Sequence, residues 1–209
     1  MATPDRLPRG RHRLSRAEVA DSQRSRLLRA MAEAVAEQGY ANTSVATVLR
    51  RAHVSRESFY EQFANKEQCF LAAYDASAGI VLRGMGDALD PSEPAGDAVD
   101  RLGRALQGYL AMLQAEPAIA RTFLAEVYAA GEAALARRVA VQQRFVDVVA
   151  DLAGAESAEQ HFACEAVVAA VAGLVTQRVC AGRLDDLDAL HEPLMRHARE
   201  VLAANGLAP

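Results

Sequence analysis

The segment from Gly39 to Phe70 constrains the fold most, because it has the pattern of two short helices joined by a tight turn, with a third helix starting at its end. Ser44 can start a helix, since its hydroxyl can accept a free N–H group of the first turn. Apolar residues then recur at positions i, i+3 and i+4, which places Val45, Val48 and Leu49 on one buried face.

The second half of the segment predicts a helix with a polar outer surface. The run from Ala52 to Val54 interrupts the first helix, and Ser55 is a cap candidate for a helix over residues 56–63. Phe59 and Phe63 are four residues apart and should face inward, while polar residues occupy the other faces. A buried helix, a turn and a polar second helix form the layout of a helix-turn-helix DNA reader, here over residues 44–63.

The segment resembles the DNA-binding motif of the tetracycline-repressor (TetR) family of transcriptional regulators. The resemblance covers some thirty residues at fixed spacing, carried by Gly39-Tyr40, Thr43-Ser44-Val45, Val54-Ser55, Phe59-Tyr60 with Phe63, and Lys66-Glu67. The chain departs from the family pattern at His53, where glycine is usual, and at Glu57, where a small or basic residue is more usual. The resemblance implies a homodimer, a phosphate contact by Lys66 and binding to double-stranded operator DNA.

Composition favours an all-α chain, since 51% of the 209 residues are hydrophobic and β-branched residues form no alternating runs. We expect no membrane span, because the most apolar run, residues 166–175, is about half of the roughly 20 residues that a span needs. The arginine-rich start lacks the apolar core of a signal peptide. Cys69, Cys164 and Cys180 show no CxxC spacing, which indicates reduced thiols and a cytoplasmic location.

Charge is distributed unevenly along the chain. Residues 1–66 hold 12 Lys and Arg against 7 Asp and Glu, a balance of +5, and residues 67–209 hold 11 against 20, a balance of −9. A basic front end is typical of a protein that places that end on a polyanion. Residues 1–15 carry four arginines between prolines and glycine. They are either a flexible, solvated tail or an arm that contacts DNA phosphates. Both can be true if the segment is disordered in the free protein and ordered on DNA.

Helix caps and periodicity predict about nine helices in two parts. An N-terminal three-helix DNA-binding domain would span residues 16–70, and a C-terminal helical ligand-binding and dimerisation domain would span residues 71–209. Helices are expected from Arg16 to Gly39, from Asn65 to about Leu89, and then over residues 95–114, 117–130, 132–152 and 158–181. The acidic cluster over residues 185–188 would start a last helix that ends near Asn205.

Polar residues on the two motif helices are the DNA-contact candidates. Arg56 can pair with guanine O6 and N7, and Glu57 can accept from cytosine N4 or offset nearby arginines. Tyr60 suits a phosphate better than a base. The full predicted set is Ser44, Thr47, Arg56, Glu57, Ser58, Tyr60, Gln62 and Lys66.

The second part has several polar or soft residues between apolar helical positions. Such residues could line a largely apolar effector pocket, or could be ordinary core. The candidates are Tyr109, Met112, Arg121, Phe123, Tyr128, His161 and Gln177. We predict no metal site, because His161 and Cys164 have no further ligands at a suitable spacing. No cofactor is expected, and the chain has no nucleophile elbow, phosphate loop or dinucleotide fingerprint of an enzyme.

The helix over residues 159–181 is apolar nearly all round, so it must be covered on more than one side. Small residues in its middle would admit a partner helix, which favours a homodimer through the last two helices over a monomer with a central helix. These features predict a ligand-responsive repressor that acts as a homodimer on a pseudo-palindromic operator. The alternatives are a helical protein-interaction scaffold with a non-functional reader, or an enzyme with a helical-bundle active site.

Overall fold

A computed structural model describes residues 15–87 and 97–207 of the chain, and this part contains nine α-helices and no strand. The all-α prediction is confirmed. The predicted arm over residues 1–15, apart from Ser15, and the segment between the helices predicted to about Leu89 and from residue 95 fall outside the described residues. The helices are α1 (Arg16–Gln38), α2 (Val45–Ala52), α3 (Arg56–Tyr60), α4 (Lys66–Asp87), α5 (Ala98–Ala115), α6 (Pro117–Leu124), α7 (Glu132–Ala153), α8 (Ala158–Cys180) and α9 (His191–Ala204).

We call the first three helices, α1 to α3, the head. Side-chain caps determine where each of them starts. Ser15 and Glu18 form a capping box at the predicted start of α1, and this helix continues without a break through residues 21 and 22. Ser44 and Ser55 cap α2 and α3 by accepting from the backbone N–H groups of Thr47 and Ser58. Each cap satisfies an N–H group that has no partner within its own helix, so each helix starts at a defined residue.

The head closes around two phenylalanines. Phe59 and Phe63 are buried, as their spacing predicts, with ring centroids 5.6 Å apart. The helix over residues 56–63 is shorter than expected, because α3 ends at Tyr60. The N–H group of Gln62 bonds to the carbonyl of Phe59, three residues back, and this tighter turn brings Phe63 onto the core.

Helix α4 leads from the head into the body, which we define as α5 to α9. Tyr74 of α4 stacks on Phe123 of α6 with centroids 5.4 Å apart, and Phe145 of α7 lies 6.3 Å from Phe123. The head and body therefore share one continuous hydrophobic core. Aromatic pairs in these geometries stabilise the core beyond the area they bury.

Two predicted helices of the body differ from the structure. The helix predicted over residues 117–130 ends at Leu124, and a 3-10 helix, Glu126–Ala129, follows it and brings Val127 into the core. The last helix was predicted from the acidic cluster, but α9 starts at His191 after two 3-10 turns, Leu184–Asp186 and Asp188–Leu190. There the Leu184 carbonyl accepts from the Leu187 N–H, three residues on, and also from the Gln114 amide of α5, both at 3.2 Å.

Helix α8 is more apolar than the sequence analysis expected. An 18-residue window of α8 has a mean hydropathy of 1.5, so this helix is long and apolar enough to cross a membrane by length and composition. The expectation that no window comes near this limit is corrected, because many alanines and valines add up over the whole helix. In the structure α8 packs against α7 and α9, with Val167, Val175 and Val179 buried between them.

Burial makes two of the three thiols unreactive. Cys69 and Cys164 are buried and Cys180 is exposed. Desolvation raises the pKa of the Cys69 thiol to about 12 and also raises the pKa of Cys164. In a Cys180→Ser variant, Ellman's reagent should therefore show no fast reaction until urea unfolds the protein, when both thiols should react. A fast phase in the folded variant would contradict the burial described here.

Candidate nucleic-acid interface and body cavity

The outer surface of α3 is built by its first and last residues. Arg56 and Glu57 are exposed in the first turn, and the Tyr60 side chain is 48% exposed at the end of the helix. Phe59 lies between them on the opposite face and is buried, with its ring 5.3 Å from that of Tyr60. The buried phenylalanine thus fixes the helix so that the predicted reading residues point outward.

Hydroxyl groups at the starts of α2 and α3 hold these two ends in place. The Ser44 hydroxyl accepts from the Thr47 N–H at 3.1 Å and lies 3.0 Å from the Thr47 hydroxyl. The Ser55 hydroxyl accepts from the Ser58 N–H and donates to the Ser58 hydroxyl, both at 3.0 Å. The structure therefore brings Ser44 and Thr47 together at one helix start and places Ser58 beside Arg56 at the other.

Gln62 and Lys66 contact the protein itself. The Gln62 amide donates to the Ala20 carbonyl at 3.4 Å, so this half-buried side chain turns back towards α1. The Lys66 ammonium donates to the Tyr40 carbonyl at 3.0 Å and lies 4.0 Å from the centroid of the Tyr40 ring. Both residues fasten the motif to the rest of the head, a role that sequence spacing alone did not indicate.

Several other arginines of the head are also held by protein groups. Arg51 of α2 pairs with Glu37 and Glu33 of α1, and these contacts raise the pKa of Arg51 and lower that of Glu37. Arg26 donates to the carbonyls of Ala52 and His53 at 3.2 and 3.3 Å. Arg50 and Arg56, by contrast, are exposed and make no ion pair within residues 15–87 and 97–207. Arg50 is a basic residue at this surface that the sequence analysis did not single out.

The body contains a partly open cavity of about 90 Å³ between α5, α7, α8 and α9, with α4 and α6 at its edges. Its wall is almost wholly apolar, and its two markedly polar residues are Arg138 and Gln142 of α7. Pockets for small organic molecules commonly have about 300–1,000 Å³ and mostly apolar walls. The cavity has the apolar wall of such a pocket but a smaller volume, so a ligand of that size would move the surrounding helices apart.

The structure places two of the seven predicted pocket residues, Tyr109 and Phe123, in the cavity wall. Burial raises the pKa of the Tyr109 phenol well above its ordinary value. The other five lie elsewhere. Met112 packs under Gly84 of α4, Arg121 pairs with Glu126 at 3.6 Å, and Tyr128 lies under the Arg138 guanidinium. His161 and Gln177 are exposed on α8, and the His161 ring contacts the Ser157 carbonyl at 2.9 Å.

A short reading helix on a three-helix head, joined to a helical body with a cavity, is the architecture of a helix-turn-helix regulator. Residues 27–73 match the family model for bacterial regulatory proteins of the tetR family. This match covers the segment whose motif resembles that family in the sequence. No curated protein matches the chain.

Solved structures show the same fold over most of the chain. A TetR-like transcriptional regulator from Rhodococcus sp. RHA1 is 21% identical, with a TM-score of 0.71 over 91% of this chain and 99% of that chain. The fatty acid degradation regulator FadR from Bacillus halodurans is 17% identical, with a TM-score of 0.72 over 84% and 94%. The regulator FadR from Bacillus subtilis, in complex with stearoyl-CoA, is 15% identical, with a TM-score of 0.69 over 83% and 96%. The chain thus has the fold of TetR-family transcriptional regulators.

The turn between α2 and α3 depends on His53. This residue adopts the left-handed conformation, with φ 52° and ψ 47°, and its side chain is exposed. A residue with a side chain is strained by roughly 1–2 kcal/mol in this region. Glycine would relieve this strain, but its larger conformational entropy in the unfolded state would offset part of the gain. His53→Gly should therefore raise the free energy of unfolding in urea by about 1 kcal/mol. His53→Val, which also removes the imidazole, should lower it, since a β-branched residue rarely adopts this conformation. Equal shifts in both variants would mean that the imidazole, not the backbone, controls the turn.

Proposed function

We propose that the protein is a DNA-binding transcriptional regulator that acts as a homodimer and responds to a small ligand by releasing its operator. The observation that carries the DNA half is the exposed surface of α3, where Arg56, Glu57 and Tyr60 face outward over a buried Phe59. A helix presented in this way can enter a major groove, where arginine pairs with guanine. A regulator of this kind works in the cytoplasm, where it can reach DNA.

The proposed contacts divide into base readers and phosphate contacts. Arg56 reads a guanine and Glu57 a neighbouring cytosine, while Ser58 and Tyr60 meet the backbone. Ser44 and Thr47, at the start of α2, meet a second phosphate with the N–H groups of that helix. Lys66 keeps donor protons beyond the one it gives to Tyr40, so a phosphate contact remains compatible with its position. Gln62 is the weakest of the candidates, since its amide already contacts α1.

Arg56→Ala should lower the ratio of the affinities for the operator and a scrambled duplex by about 5- to 150-fold, because a bidentate contact to guanine is worth about 1–3 kcal/mol. Tyr60→Phe should weaken both duplexes alike, since a phosphate carries no sequence information. The operator is first selected from genomic fragments by the purified protein, and affinities are then measured by gel shift at fixed salt. Arg144→Ala, an exposed arginine of α7, is the control with the same loss of charge. Unchanged discrimination in Arg56→Ala would refute the reading role.

The homodimer is proposed to form through one face of α8, together with α9. Phe162 is 69% and Leu174 is 41% exposed in the single chain, and Ala169 and Gly173 are exposed between them. A Cβ atom at Gly173 would meet nothing within 4 Å, so no contact inside the described protomer requires glycine there. A glycine inside a helix costs about 1 kcal/mol relative to alanine. Close approach of a partner helix explains both the glycine and the apolar face, and it covers α8 without a membrane.

Gly173→Arg should convert the dimer to a monomer in size-exclusion chromatography with light scattering, because a long charged side chain would stand in the helix contact. Gly86→Arg is the matched control. Gly86 is also helical and exposed, and its added Cβ would also meet nothing within 4 Å. The control should stay dimeric and bind operator as the unchanged protein does. A Gly173→Arg protein that remains a dimer would exclude this face as the interface.

Helix α6 supports the ligand half of the proposal, because it contacts the cavity and the head at the same time. Phe123 and Leu124 line the cavity, while the hydroxyl of neighbouring Thr122 donates to the Ala32 carbonyl of α1 at 3.2 Å. Directly after α6, the Glu126 carboxylate accepts from the Tyr40 N–H at 2.9 Å. A ligand that moves α6 would therefore move the base of the head, and α4 offers a second route through Met85.

An enzymatic role has little support, because the polar groups of the cavity wall include no nucleophile with a base beside it among the described residues. The gel shift described above distinguishes a DNA-binding regulator from a scaffold with a non-functional reader. Such a protein would bind the operator and the scrambled duplex equally.

A further inference from the structure

Arg138 is a cation in the wall of an otherwise apolar cavity. Helix α7 places Arg138, Gln142, Phe145 and Val149 along one stripe that lines the cavity. The Arg138 side chain is half-buried, and its guanidinium carbon lies 5.0 Å from the centroid of the Tyr128 ring. An arginine cannot lose its proton under physiological conditions, so a permanent positive charge borders the cavity.

The described part of the chain gives this charge no anionic partner. No carboxylate of residues 15–87 and 97–207 lies within 4.0 Å of Arg138, whereas neighbouring Arg137 pairs with Asp75 at 2.7 Å. The contacts of Arg138 are neutral: the ring of Tyr128, and the Gln142 side-chain oxygen, which accepts from its Nη1 at 2.9 Å. A partly desolvated cation with neutral neighbours favours an anion from outside the protein.

Arg138 and Gln142 together present more hydrogen-bond donors than acceptors. The carbonyl oxygen of Gln142 is occupied by Arg138, and this bond turns the amide so that its NH2 group remains available. The guanidinium keeps further N–H groups of its own. A carboxylate can accept from both side chains, whereas an alcohol would leave the charge unpaired and an ammonium group would be repelled.

The charge also acts on the cavity wall. Burial raises the pKa of Tyr109 and of Tyr74 strongly, and the positive charge of Arg138 opposes that rise at both phenols. Of these two phenols, Tyr109 lines the cavity together with Arg138.

We propose that the cavity binds an amphipathic organic acid, with its apolar body between α5, α7, α8 and α9 and its carboxylate paired with Arg138 and Gln142. This inference rests on the ligand response proposed above and adds the chemical class of the ligand. The apolar wall selects for hydrocarbon, and the Arg138–Gln142 pair selects for the anionic head.

The test compares two probes that differ only in the head group, decanoate and 1-decanol, by titration calorimetry on the full-length protein at pH 7. Decanoate should bind about tenfold or more tightly than decanol, as expected for a hydrogen-bonded charge pair. Arg138→Gln should lower the affinity for decanoate to that for decanol and leave decanol unchanged. Unchanged decanol binding also shows that the variant is folded. Arg144→Gln, an exposed arginine on the same helix, should keep the full preference.

A second variant makes the test independent of Arg138. Gln142→Met removes the amide donor at nearly constant length and should weaken decanoate binding several-fold with no effect on decanol. Equal affinities of the two probes for the unchanged protein would overturn the acid proposal while keeping the cavity as a ligand site. A preference that survives Arg138→Gln would also overturn it. If neither probe binds, the acid proposal and the ligand response both fail, and operator binding by the head is unaffected.

Discussion

The arrangement of the molecule depends on the contact of α6 with two different partners. This eight-residue helix turns Thr122 towards the backbone of α1 and Phe123 towards the cavity. The two side chains are adjacent, so they point to different sides of the helix. Phe123 also stacks on Tyr74, which joins α4 to the same cluster. Removal of this helix would remove the contact of α6 with α1, leave the head joined to the body through α4, and open one wall of the cavity.

The head shows why charge alone does not define a DNA surface. Its arginines have different roles, because Arg51 and Arg26 are held by carboxylates and carbonyls of the protein, whereas Arg56 and Arg50 point to solvent. The first group fixes α2 against α1 and thereby sets the direction of α3. The second group remains available to a polyanion without the loss of an ion pair or of a hydrogen bond to the protein. The net positive charge of the first 66 residues therefore overstates the charge that can neutralise phosphates.

The helix-turn-helix could be predicted from the sequence because its signals are local. Ser44, Ser55 and the Phe59–Phe63 spacing act within one or two turns of helix, and each appears in the structure as expected. The cavity could be predicted only in small part. Tyr109 and Phe123 line it, but Val167 and Leu194 also line it, and apolar residues of this kind look the same in sequence whether they fill a core or border a space. Which helices meet is a long-range property that periodicity does not contain.

Arg138 and Gln142 did leave a signal in the sequence, since both lie in phase with Phe145 and Val149 on a stripe that is otherwise apolar. Neighbouring Arg137 lies out of phase and pairs with Asp75 on the surface. The position of Arg138 also relates the cavity to the head. Its ring partner Tyr128 and the carboxylate partner of Tyr40, Glu126, belong to the same 3-10 turn. An anion that draws Arg138 away from Tyr128 would thus act on the turn that holds the start of the DNA-binding motif. The free energy by which the anion shifts the turn between two positions would equal the difference between its binding free energies for those positions.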